Sequence, residues 1–210
     1  MGLAQLAPDI DRYLAHGAYL QLALFELLST SIVGSPSMAA KTSLSHVANT
    51  LIDRHHALAT ELESRGHDPA AAMEPFADMV DTFRQRIHSD SWAEVLMSVY
   101  VVSGILDDCF VQLAGGLSGD YPDRMAGLLG GDAVTRPLAV VIRAEIDAQP
   151  TLASSLALWG RRLVGDTLLV ARSAADIPQD TAADDERLEP VFTDLVADHT
   201  RRMDDLGLTA

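Results

Sequence analysis

The stretch LIDRHHALATEL at positions 51–62 places an aspartate three residues before the second of two adjacent histidines. Residues three apart share a side of a helix, so Asp53 and His56 have the spacing at which a helix offers a carboxylate and an imidazole to one metal ion. Helical phase ranks them differently. The apolar stripe of this segment is Leu44, Val47, Ala48, Leu51, Leu58 and Leu62, and His55 falls within it. Asp53 lies nearly opposite that stripe and His56 about a quarter-turn away. The histidine expected to face inward is therefore His55, and the residue three before it is Ile52, not a carboxylate.

Other segments carry isolated polar groups on apolar faces, where an unpaired charge costs several kcal/mol or more. Glu26 is the only charged residue between Arg12 and Lys41, His16 counted as neutral, and is expected to point inward with Ala15, Tyr19, Leu22 and Val33. Asp107 and Asp108 interrupt the apolar run VVSGILDDCFVQLA, so at least one of them must be substantially buried. The face of Asp108, with Met97, Val101 and Ile105, is the more apolar; that of Asp107 holds Tyr100, Ser103 and Val111. His199 sits on the stripe Leu188, Phe192, Leu195 and Leu206. Asp166 has Arg162 one turn earlier to neutralise it. Cys109 reads as a small core residue. Glu26, His55, Asp108 and His199 would together offer two carboxylates and two imidazoles from four helices, a donor set suited to iron, manganese or zinc.

Those side chains must be positioned by helices. Leu, Ala and Val dominate the 48% of apolar residues, and only 5% are aromatic, which suits close-packed helices. Turn and cap signals divide the chain into helices over 8–33, 37–65, 70–88 with an interruption at Pro75, 91–114, 123–129, 137–148, 151–174 and 186–206. Ser91 and Glu94 have capping-box spacing. DIPQDTAADDER is the one linker-like segment. At 210 residues the expectation is one all-α domain, an up-down bundle with additional helices.

Thirty acidic against fifteen basic residues give a net charge of −15, which disfavours nucleic acid and anionic membranes as partners. The first helix is almost uncharged, and no basic recognition helix marks a transcriptional regulator. A single cysteine and a start without a signal-peptide pattern fit a cytoplasmic protein. The charge-free stretch 13–25 is too short to span a bilayer.

The segments LALFELL, YVVSGILDDCF, LALWGRRLVGDTL and HTRRMDDLGL resemble the ferritin-like superfamily. The nearest likeness is to actinobacterial ferritin-like proteins similar to the diiron tRNA hydroxylase that acts on modified adenosine. A diiron centre of that kind takes a Glu from each of two helices and Glu-x-x-His from each of two others. The resemblance matches Glu26 to the first-helix carboxylate and Asp108, shortened, to the third. It matches His55 to the histidine of one Glu-x-x-His, whose carboxylate position is Ile52. GGDAVTRPLAVVIRAEID has no histidine, and its Glu145 has no partner at the required spacing.

The ligand set is therefore incomplete. What the resemblance implies is a metal-dependent hydroxylase or oxidoreductase with a degenerate iron or manganese site, acting on a small or carrier-bound substrate. The alternative is a metal-free bundle serving as a binding or oligomerisation module, a role compatible with a homodimer.

Overall fold

The computed structural model describes residues 2–175 and 182–209, with side chains in the last helix described from Val191 onward. The described chain is helical: α1 Ile10–Ile32, α2 Met38–Ser64, α3 Pro69–Met73, α4 Ala77–Ile87, α5 Trp92–Ala114, α6 Tyr121–Leu129, α7 Thr135–Ala148, α8 Leu152–Ala174 and α9 Ala182–Asp205. Short 3-10 turns precede α1, at Leu3–Leu6, and join α3 to α4, at Glu74–Phe76. Among the described residues no helix is long and apolar enough to cross a membrane.

Local chemistry accounts for the boundaries. Asp9 and Ser37 accept the backbone N–H of Arg12 and Ala40 at 3.0 and 3.1 Å, capping α1 and α2. Gly66, at φ 87°, ends α2 in the left-handed conformation that a side chain would strain. Pro75 splits the segment after it, as expected, because a proline breaks the helical hydrogen-bond ladder. The capping box expected at Ser91 and Glu94 is displaced: Ser89 donates to Glu94 at 2.6 Å and accepts from Ser91 N at 3.1 Å. In the acidic linker segment, 176–181 lie outside the described residues, and α9 begins at Ala182, four residues before the expected start.

Four helices form a ring in which α1 touches α2 and α5, and α7 touches the same two. Directions follow from cross-links: Trp92 Nε1 donates to Ser31 O at 2.9 Å and Tyr13 Oη to Phe110 O at 2.9 Å, so α5 runs antiparallel to α1. The segment from α3 to α4 crosses back along α1, where Tyr19 donates to Asp81 at 2.8 Å. α8 runs parallel to α5, as Trp159 Nε1 reaches Ser98 Oγ at 2.9 Å and Cys109 Sγ points to the Ala171 carbonyl. α2 and α5 thus stand diagonally across the four-helix ring, with α8 and α9 packed outside it against α5. Every residue from 95 to 107 is buried, which makes α5 the axis of the molecule.

Candidate functional site

The centre of the ring holds a polar cluster contributed by three of its helices. On α2, Arg54 falls between Leu51 and Leu58 on the buried stripe, three residues after one and four before the other. Its guanidinium crosses the diagonal and its Nη1 donates to Asp107 Oδ2 on α5 at 2.8 Å. Arg54 is 3% exposed and Asp107 7%. Gln21 of α1 donates to the other carboxylate oxygen at 3.3 Å.

Arg54 Nη2 donates to the carbonyl of Leu129, the last residue of α6, at 3.2 Å. That carbonyl is held in place because Tyr121 of α6 donates to Glu61 of α2 at 2.6 Å and Arg124 pairs with the same carboxylate. Burial pushes the Asp107 carboxyl up to about 6, and the Arg54 guanidinium and Gln21 amide pull against that rise.

The residues expected to bind metal lie elsewhere. Glu26 does not point inward: its side chain is 49% exposed, because α4 lies beside α1 there and presents Arg84, whose Nε is 3.7 Å away. His55 is half-buried at the edge of the stripe, its Nδ1 2.9 Å from the Ala18 carbonyl. Asp108 faces outward from the ring and pairs with Arg202 of α9 at 2.7 Å. Gly104 leaves the space that Arg202 needs to lie across α5, since a Cβ there would stand 2.6 Å from its Nε. The buried aspartate is Asp107, the reverse of the expected order. Asp53 and His56 are exposed, as helical phase predicted, and Asp53 accepts a 2.6 Å hydrogen bond from Asn49. Asp166 is paired with Arg86 of α4 at 3.0 Å, while Arg162 covers the Trp159 ring.

His199 is buried as expected, and neither ring nitrogen has a hydrogen-bond partner. Burial, assisted by the neighbouring Arg202 charge, lowers its pKa to about 4. His16 of α1 shares that condition. It is buried, stacked on Phe76 at 4.6 Å with Phe110 at its edge, and burial with the nearby Arg12 lowers its pKa to about 3. Cys109 is a buried core thiol whose pKa burial raises to about 12.

Among the described residues no three His, Cys, Asp or Glu side chains are placed to hold one metal ion. The structure therefore does not bring Glu26, His55, Asp108 and His199 together. Among the described residues the one carboxylate at the ring's centre is already bound by a permanent side-chain cation, and the residue three before Arg54 is Leu51, so the donor set present does not fit a diiron centre. Arg54, Gln21 and His16 are the polar groups that reading the sequence missed. The available signal was Arg54 itself, a charged residue at a spacing that continues the leucine stripe.

No curated protein matches the chain. The family described as "Ferritin-like domain, actinomycetes" matches residues 7–185. Together with the all-helical fold, that match over most of the sequence places the chain in the family: it belongs to the actinomycete ferritin-like domains.

Proposed function

We propose that this ferritin-like chain is a non-catalytic, metal-independent helical bundle that acts as a binding module. The observation that carries the reading is the Arg54 guanidinium at the ring's centre, 2.8 Å from the buried aspartate. An arginine stays protonated throughout the physiological range, so a cation entering beside it meets a fixed positive charge at close range in a low-dielectric interior. Asp107 and Gln21 are already engaged, and metal ligation would have to displace the guanidinium from its carboxylate. A bundle so filled keeps its architecture without the oxygen-activating centre, and binding falls to the grooves between its outer helices.

Protein purified from cells supplemented with iron and manganese tests the reading. It is expected to carry less than about a tenth of a metal ion per chain and to melt at the same temperature with and without a chelator. Stoichiometric metal, with a melting temperature that drops on its removal, would contradict it and restore the oxidoreductase.

A further inference from the structure

α4 lies against α8, and the two helices leave a groove of about 410 Å³ between them. The two run antiparallel, as Arg86 meets Asp166 at one end and Ser173 Oγ approaches Met79 Sδ at the other. α4 contributes two rows at helical spacing. Met79 and Phe83 form the floor, and Asp78, Thr82 and Arg86 form the rim. From α8, Leu169 and Val170 complete the apolar lining, and Leu169 remains 62% exposed although it adjoins an apolar surface.

The charges of this groove are unequal. Two carboxylates, Asp78 and Asp166, line it with one guanidinium, Arg86. The Arg86–Asp166 ion pair at 3.0 Å closes one end and leaves those two charges matched. Asp78, exposed at the other end, has no hydrogen-bond or ion-pair partner among the described residues. Arg12, a cation at that end, is turned over the Phe76 ring and donates to the Ser173 carbonyl. An apolar trough with one carboxylate at its Met79 end that is unpaired among the described residues, on a chain of net charge −15, is complementary to an apolar body with a single positive head.

We infer that the α4–α8 groove binds hydrophobic ammonium compounds, the apolar body lying on Met79, Phe83, Leu169 and Val170 and the ammonium group meeting Asp78. This assignment rests on the binding-module reading and names its ligand class. The groove uses no residue of the Gln21–Arg54–Asp107 cluster, so the two can be tested separately.

The test is calorimetric titration of the full chain, stripped of metal, with butyl-, hexyl- and octylammonium chloride. Octanol and octanoate serve as head-group controls. Affinity is expected to rise about tenfold for each two methylenes added, with octanoate binding at least about fivefold more weakly than octylammonium. Asp78→Asn should bring octylammonium to the affinity of octanol, and Leu169→Asp, on the surface, should abolish binding of the whole series. Equal affinity for the three head groups would overturn the assignment, as would octylammonium binding that Leu169→Asp leaves unchanged or no detectable binding of octylammonium. Metal found bound in the core of the unstripped protein would defeat the previous reading and leave these results to stand or fall by themselves.

Discussion

Replacing Arg54 by methionine is expected to cost about 3–5 kcal/mol of folding stability, measured by urea unfolding at pH 7. Methionine fills much of the volume of the arginine stem, so the loss reports the charge and its hydrogen bonds more than a cavity. Two connections disappear together: the 2.8 Å pair with Asp107 and the 3.2 Å bond to the Leu129 carbonyl. The first leaves a carboxylate buried at the ring's centre with only the Gln21 amide for support. Burial already raises the Asp107 carboxyl to about 6 against the pull of Arg54, and without the guanidinium it must take up a proton at neutral pH or drag water into the core. The partner substitution separates charge from packing. Asp107→Leu combined with Arg54→Met should recover more than half of the loss, because buried ion pairs are replaced by apolar groups at little net cost. A single variant within about 1 kcal/mol of the wild type would mean that water already solvates the pair.

Acidification from pH 7 to pH 5 is expected to remove about 4 kcal/mol through His16 and His199 alone. Both are buried without hydrogen-bond partners, and their folded pKa values fall to about 3 and about 4 from an unfolded value of about 6.5. The folded state refuses protons that the unfolded chain accepts, so the stabilisation is complete above about 6.5 and is lost as pH falls below it. At pH 5 each histidine has given up about 2 kcal/mol. Asp107 acts in the opposite direction. Its raised value means that the folded state holds a proton more tightly between its ordinary value and about 6, which returns about 1 kcal/mol at pH 5. Asp11 and Glu61, whose arginine partners Arg65 and Arg124 hold them below the ordinary carboxylate range, contribute only at lower pH. The net loss is about 3 kcal/mol. His16→Phe, which can keep the stack on Phe76, combined with His199→Leu should remove the downward slope between pH 7 and 5 in unfolding measurements. A slope unchanged in that double variant would assign the acid sensitivity elsewhere.

The helices were legible because their punctuation is local. Gly66, Pro75 and Pro150 act on the backbone wherever the chain goes, and the segments they separate fold as read. The centre was not legible because it depends on which of two residues closes a stripe. Arg54 and His55 both fit between Leu51 and Leu58, one at spacings of three and four and the other at four and three. Cost assigns the charged arginine to water, and only a buried partner on another helix reverses that assignment. The partner was ambiguous too. α5 is buried on every side from Val95 to Asp107, so the apolarity of one face could not rank Asp107 below Asp108. Glu26 failed for a tertiary reason: the crossover helix α4 brings Arg84 to its side of α1, and nothing near Glu26 in sequence announces that neighbour. Asp166 met the same fate, with Arg86 of α4 in place of the adjacent Arg162.

The claim that a side-chain cation organises the centre of this bundle is tested most directly by nitrogen-15 NMR of the arginine side chains, with Arg54 assigned through its loss in Arg54→Met. Slowly exchanging Arg54 Nη–H signals are expected, individually resolved because the two Nη groups donate to Asp107 and to Leu129, and unchanged by chelator or by added manganese. Averaged, rapidly exchanging Nη signals would contradict it, as would selective broadening of Gln21, Arg54 and Asp107 resonances when manganese is added.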